Sequence, residues 1–248
     1  LILVTGPTGS GKTTTLYSTL NRIKSIEKNI ITIEDPIEYQ LDIIRQMQVN
    51  PKVGITFSSG LRSILRQDPD VIMVGEIRDL ETARIAIQAS LTGHLVFSTL
   101  HTNDAAGTIT RLIDMGIEPY LIASSLKCVL AQRLVRKLCQ RCRKKRQITQ
   151  DEIRLLGAQK QLNENTIVYE PAGCNECSNA GYAGRIGIFE LIVLNNDIRQ
   201  LIVKKISSDV IKEASIKSGT KTLIHNGLDK IINGITSVEE VLRVTQID

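Results

Sequence analysis

Eight residues near the start of the chain, Gly6-Pro7-Thr8-Gly9-Ser10-Gly11-Lys12-Thr13, fit G-x-x-x-x-G-K-[ST] at every fixed position. That spacing suits the holding of a polyphosphate. The glycines let successive backbone N–H groups curl around phosphate oxygens without Cβ clashes. The N-terminus of the helix that follows would bring its partial positive charge to the same point. Lys12 would reach the β- and γ-phosphates, and the Thr13 hydroxyl would ligate Mg²⁺. Residues Gly6 to Lys12, with Thr13 and Thr14, are the candidate ATP-binding set.

Two carboxylates could complete such a site. Glu34 opens Glu34-Asp35-Pro36-Ile37-Glu38-Tyr39, directly after the β-branched run Asn29 to Ile33. A water-activating base for phosphoryl transfer would have to stand just past a strand end. An acidic turn is the plainer reading of the same stretch. Glu76 follows the apolar run Val71 to Val74, with Gly75 where an Asp is commonly found. A carboxylate there orients Mg²⁺, usually through water. His94 and His101 bracket the run Leu95 to Leu100. Either could sense a γ-phosphate, or be satisfied by backbone carbonyls.

Cysteines supply a second chemistry. Cys139-Gln140-Arg141-Cys142 is followed after 31 residues by Cys174-Asn175-Glu176-Cys177. Each pair offers two thiolates from one tight turn, and two pairs close a structural Zn²⁺ site. Two disulfides or a redox pair are the alternatives. A chain with a nucleotide site and no visible export signal is expected in the cytoplasm, where disulfides do not persist. Cys128 is left over, on what reads as an apolar helix.

The elements that must position these groups alternate in type. Leu1 to Val4 reads as a buried strand, and Thr14 to Ile23 as a helix. Asn29 to Ile33, Val71 to Val74 and Leu95 to Leu100 read as further strands, with Leu80 to Leu91 a helix before the last. Val49 to Phe57 reads as a strand and loop. Leu61 to Gln67 reads as a short helix with Arg62 and Arg66 on one face. That face could serve a phosphate, a neighbouring subunit, or surface ion pairs. Alternation through Leu100 specifies an α/β core with a mostly parallel sheet. Residues 105 to 137 read as helical, and from Asn196 three or four short amphipathic helices follow. Ser237 to Glu240 reads as a capping box. Residues 1–135 are expected as the core, 136–190 as a zinc-stapled segment and 191–248 as a helical subdomain.

Composition narrows the partners. Net charge is +5 over 248 residues, but eight Lys and Arg crowd between Arg133 and Arg146. That patch could meet nucleic acid, anionic lipid or an acidic protein, or be solvated surface. Aromatics make up 3% of the chain and Trp is absent, so a base-stacking platform is poorly supplied. No run of 18 apolar residues is present. The chain opens without Met on the glycine-loop strand, which reads as a piece of a longer protein.

The motifs together resemble the C-terminal part of type II secretion traffic ATPases, the general secretory pathway protein E family. Four boxes carry the resemblance: Gly6 to Thr13, Ile31 to Tyr39, Asp70 to Glu76, and Thr92 to Asn103. The tetracysteine segment separates the chain from relatives that retract pili. Pilus-assembly ATPases share it, while Met115 to Ile122 and Glu239 to Thr245 resemble the secretion branch more closely. The resemblance implies a RecA-like P-loop NTPase core, a zinc-binding arm and a helical C-terminal subdomain. It implies a homo-oligomeric ring, most often a hexamer, on the cytoplasmic face of a bacterial inner membrane. There it would engage secretion-platform proteins and power assembly of a pilus-like fibre. By position, Glu34 matches the general base and Glu76 the magnesium-side acid. Arg62, Arg66 and Arg78 match arginines facing the nucleotide or a neighbouring subunit. Three other readings stay open: a pilus-assembly ATPase, a RecA-like nucleic-acid translocase, and a non-catalytic zinc-bound scaffold that holds nucleotide. The translocase would use residues 133–146 and bind DNA with strong salt dependence.

Overall fold

The computed structural model describes residues 1–245. Two compact units account for it: residues 1–131 with 191–220, and residues 132–190 with the chain from 221 onward. The segment expected as one helical subdomain, 191–248, is thus divided between the two.

The first unit is a parallel sheet with helices alternating along the chain. Its strands are β1 (Ile2–Thr5), β2 (Ile30–Glu34), β3 (Arg45–Gln48), β4 (Val71–Val74) and β5 (Leu95–Leu100). Its helices are α1 (Lys12–Ile23), α2 (Phe57–Ile64), α3 (Leu80–Leu91), α4 (Ala105–Asp114) and α5 (Pro119–Ser125). The start of β6 (Cys128–Leu138) joins the sheet, and β9 (Tyr182–Val193) closes its far edge. Spatial order is β3-β2-β4-β5-β1-β6-β9. β5 lies between β1 and β4, so the chain order reverses beside β1. Ligands in open α/β sheets bind outside the strands' carboxyl ends at such a switch point.

Continuous apolar strands follow from burial on both faces. On one face Val4, Val71, Met73 and Phe97 pack with Leu16, Tyr17 and Leu20 of α1. α2 comes very close to the sheet, because a Cβ on Gly60 would stand 2.1 Å from Ile33 Cδ1. Two helices, α3 and α4, start from aspartate caps. Asp79 accepts the Thr82 N–H at 2.7 Å, and Asp104 accepts the Gly107 N–H at 2.8 Å.

Several sequence expectations fail here. Residues 128–138 form a strand rather than a helix, so Cys128 lies on β6, paired opposite Ile2. Its run of apolar residues has no intrinsic period that separates a buried strand from a buried helix. The strand expected within 49–57 is instead β3, at Arg45–Gln48, beside β2 at the sheet edge. β3 is mostly polar and carries no apolar alternation to reveal it. Glu34 is the last residue of β2, not a residue beyond it. Helix α2 ends at Ile64 and a 3₁₀ turn covers Leu65–Gln67, so Arg62 and Arg66 do not share one α-helix.

The second unit holds the antiparallel pair β7 (Lys144–Gln147) and β8 (Ile167–Glu170), with Lys144 opposite Glu170. α6 (Gln150–Leu155) starts from a Thr149–Glu152 capping box. α7 (Asn196–Val203) and α8 (Ser208–Lys217) belong to the first unit, and α9 (Leu223–Ile232) and α10 (Val238–Thr245) to the second. The second unit buries Ile148, Ile153, Val168 and Ile188 of its own stretch together with Leu228, Ile231, Val238 and Val241 of α9 and α10. Ser237 Oγ accepts the Glu240 N–H at 3.4 Å, but the Glu240 carboxylate turns to Arg136 and Arg243. The expected reciprocal box is therefore half made.

Candidate functional site

The phosphate loop joins β1 to α1 at the carboxyl edge of the sheet. Gly9 and Gly11 have φ of 77° and 86°, a region open to glycine at little cost, and a Cβ on Gly9 would meet nothing within 4 Å. The Lys12 ammonium donates to the carbonyls of Gly6 at 2.8 Å and Pro7 at 3.1 Å. The ammonium is thus folded against the loop that it would help to bind phosphate. These residues fit a polyphosphate, by nest geometry and by charge.

Register along the sheet brings the other groups to the same edge. Thr5 of β1 pairs with Leu100 of β5, so His101 follows beside the start of the loop. Val74 of β4 pairs with Ser98 of β5, and Ile33 of β2 pairs with Val74. Glu76 therefore stands between His101 on one side and the end of β2 on the other. Its Oε2 lies 3.3 Å from His101 Nε2, and its Oε1 accepts a hydrogen bond from Arg78. Arg78 also faces Asp35 at 3.7 Å and stacks over Phe57 at 5.8 Å. Burial works against the Glu76 charge, but Arg78 and His101 outweigh it and hold the carboxyl below its usual range.

Glu34 is placed differently. It is 2% exposed, and Tyr17 and Thr32 donate their hydroxyls to its two oxygens. Gln46 Nε2 adds a third donor at 3.1 Å. Burial, followed by the bond to Glu34, pushes the Tyr17 phenol upward. The reading of the sequence missed Tyr17, Thr32 and Gln46. A tyrosine beside the apolar stripe of α1 was the available signal, since a buried phenol needs a partner.

Three expected site residues lie elsewhere. His94 precedes β5, about 20 Å along the sheet from His101 at ~3.3 Å per residue. Its Nδ1 is 2.9 Å from the Ala89 carbonyl, which is the backbone-satisfied alternative. Arg62 pairs with Glu81 of α3, and Arg66 is exposed.

The four cysteines converge. Their sulfurs all lie within 4.8 Å of one another, with separations of 3.9, 3.8 and 3.7 Å for Cys139–Cys174, Cys142–Cys177 and Cys174–Cys177. Zn–S bonds of ~2.3 Å at tetrahedral angles give sulfur–sulfur edges of ~3.8 Å. Backbone N–H groups of Gly173 and Gly181 point at Cys142 and Cys177 at 3.3 and 3.2 Å. The donor set fits Zn²⁺ in all four positions.

The basic stretch 133–146 is largely engaged within its own unit. Arg136 binds Glu240 and lies 4.1 Å from the Tyr182 ring centroid. Arg141 pairs with Glu176, and Arg146 with Glu152, Glu170 and Glu239. Arg143 bonds the Gly234 carbonyl, and Arg133 is 2% exposed. Lys137, Lys144 and Lys145 remain on the surface.

A parallel α/β sheet with a glycine loop, lysine and acid at its carboxyl edge defines a P-loop nucleotide-binding protein. A family model for type II/IV secretion system proteins matches residues 1–243. The chain belongs to the type II/IV secretion system protein family. It is 57% identical over 248 residues to type II secretion system protein E of Aeromonas hydrophila, covering all of this chain and 49% of that protein. It is 56% identical over 246 residues to the type II secretion system ATPase E of Vibrio cholerae, covering 99% of this chain and 48% of that protein. The chain thus spans about half the length of these relatives. Among solved structures it resembles the pilus retraction motor PilT with bound ADP, at TM-score 0.71 and 32% identity, covering 99% of this chain and 61% of that one. The Legionella pneumophila ATPase DotB is similar at TM-score 0.69 and 25% identity, covering 98% of this chain and 59% of that one. No helix among the described residues is long and apolar enough to cross a membrane.

Proposed function

We propose that this chain is the ATP-hydrolysing part of a ring-forming traffic ATPase that powers a type II secretion system. The observation that carries the reading is the convergence of the phosphate loop, Glu76, Arg78 and His101 on one sheet edge, in a chain 57% identical to type II secretion system protein E. The curated relatives at 54–57% identity are secretion proteins, which favours the secretion branch over pilus assembly.

In this reading Gly6 to Thr14 bind the nucleotide, and Lys12 leaves the loop carbonyls for the β- and γ-phosphates. Thr13 would hold Mg²⁺ together with one carboxylate, Glu76 in the sequence-based assignment and Glu34 in the exchanged one, and the ion would supply charge neutralisation across the phosphate oxygens. Glu34 would act as general base only after Tyr17, Thr32 and Gln46 release it, whereas Glu76 has to shed only Arg78 and His101. Geometry therefore favours the exchange of roles over the first assignment, with Glu76 activating water. His101 donates toward the transferred phosphate. Arg62, Arg66 and His94 face a neighbouring subunit in a hexamer. Cys139, Cys142, Cys174 and Cys177 hold a structural Zn²⁺. The ring sits on the cytoplasmic side of the bacterial inner membrane against secretion-platform proteins and drives pseudopilus assembly. Lys137, Lys144 and Lys145 are the cations left for anionic lipid. Most of the neighbouring arginines already have carboxylate partners, which weighs against a nucleic-acid channel.

The test is Mg²⁺-dependent phosphate release by purified protein, paired with export of a folded substrate by cells carrying the same variant. Loss of both in Lys12→Ala supports the reading. Export unchanged in a variant without hydrolysis would refute it.

A further inference from the structure

Thr5 is the last residue before the phosphate loop and is fully buried. Its hydroxyl lies 3.0 Å from the Leu100 carbonyl oxygen, and that carbonyl accepts the Gly6 N–H at 3.4 Å. Thr5 Oγ1 accepts the Thr102 N–H at 2.9 Å and lies 2.7 Å from the Thr102 hydroxyl. Thr102 Oγ1 lies 2.7 Å from Thr108 Oγ1 on the buried side of α4. Each hydroxyl has one proton. In one direction Thr108 donates to Thr102, Thr102 to Thr5, and Thr5 to Leu100; in the other Thr5 donates to Thr102, Thr102 to Thr108, and Thr108 to the Asp104 carbonyl at 3.2 Å. In both the Thr5 oxygen accepts the Thr102 N–H. A chain polarised in one sense strengthens its own bonds.

One oxygen therefore stands against the backbone on both sides of His101. Across the sheet, the Ile77 N–H bonds the Thr99 carbonyl at 3.0 Å, and the Thr99 hydroxyl bonds the Gly75 carbonyl at 2.7 Å. Those bonds fix the segment carrying Glu76 to the same strand, β5. Thr5 is the link between that pair of groups and the phosphate loop.

We propose that Thr5 is a positioning residue. Through Thr102 it holds His101 in register with Glu76 and the phosphate loop. The inference rests on the reading of this site as one that hydrolyses ATP. Valine nearly matches threonine in shape, but it would put a methyl group where an oxygen accepts an N–H at 2.9 Å. A carbon cannot approach a nitrogen so closely, so the 101–104 loop must back away. Serine keeps the oxygen.

The experiment measures kcat and nucleotide affinity for Thr5→Val, Thr5→Ser, His101→Ala and the Thr5→Val/His101→Ala double variant of the purified protein. Misplacement by up to an ångström predicts a loss in kcat of about 10- to 100-fold for Thr5→Val. Binding of a fluorescent ATP analogue should change by less than about threefold, the signature of an effect on turnover alone. Thr5→Ser should restore turnover. In the His101→Ala background Thr5→Val should cost less than about twofold, because nothing is left to position. Wild-type turnover in Thr5→Val, or equal losses in both backgrounds, would overturn the proposal. So would a His101→Ala protein with wild-type turnover. If melting shows that Thr5→Val does not fold, Thr102→Val must show the same non-additivity, and additive losses there overturn it. A wild-type protein that hydrolyses no ATP would refute the functional reading and this inference with it. Activity in the wild type with an unaffected Thr5→Val refutes the inference alone.

Discussion

Nε2 of His101 stands 3.3 Å from Oε2 of Glu76, so a residue following β5 and a residue following β4 meet at the carboxyl edge of the sheet. Arg78 occupies the other oxygen of that carboxylate. Both oxygens of Glu76 are thus engaged by residues that can leave, whereas those of Glu34 are enclosed by Tyr17, Thr32 and Gln46.

This contrast sets the first prediction. The general base should lose about 10²–10⁴-fold in kcat as its Gln variant while ATP still binds. The magnesium-side acid should instead shift the Mg²⁺ concentration for half-maximal rate. The geometry expects Glu76→Gln to show the base phenotype. Steady-state rates against Mg²⁺ for Glu34→Gln and Glu76→Gln check it. A Glu34→Gln protein with the larger kcat loss and unchanged Mg²⁺ dependence would restore the sequence-based assignment.

Lys12→Ala should abolish hydrolysis, because it removes the ammonium that sits on the loop carbonyls. Turnover near the wild-type rate in a phosphate-release assay would show that the loop is not the phosphate site.

Purified protein should carry about one zinc per chain, by metal analysis of chelator-free preparations. Cys174→Ser should lower the zinc content and the melting temperature together, since the site closes a loop between residues 142 and 174. Zinc-free wild-type protein with an unchanged melting curve would remove the structural-metal assignment.

Glu240 offers a pH signature. Burial raises its pKa, but bonds from Arg243 and Arg136 outweigh this and bring it down from 4.5 to about 2. As pH falls below 4.5 the unfolded chain takes up the proton before the folded one does, so folding loses stability. The contribution is complete above pH 4.5 and gone below about 2. Denaturant unfolding of wild type and Glu240→Gln should therefore differ most above pH 4.5, with the gap closing through that window. A gap independent of pH would mean that the charge is not what holds α10.

The phosphate loop, the paired cysteines and the apolar strands were legible in the sequence because each depends on local spacing. A glycine loop needs only its own backbone and the strand and helix beside it. A thiolate pair needs only one turn. Strand β3 was not legible, since Arg45 to Gln48 carries no apolar alternation and is a strand because β2 offers it an edge. Nor was β6, whose buried residues suit either a strand or a helix until β1 pairs with them.

The site divides along the same line. That Glu34 and Glu76 end apolar runs could be read from the chain. Which of them is enclosed depended on Tyr17 and Gln46, 17 residues before and 12 after Glu34, arriving through α1 and β3. Likewise the sequence placed His101 after a strand, but only the β1–β5 register put Thr5 beside Leu100 and Thr102. Residue type and short spacing determined the chemistry on offer. Strand order and register, set by burial of whole faces rather than by neighbours in sequence, decided which groups meet.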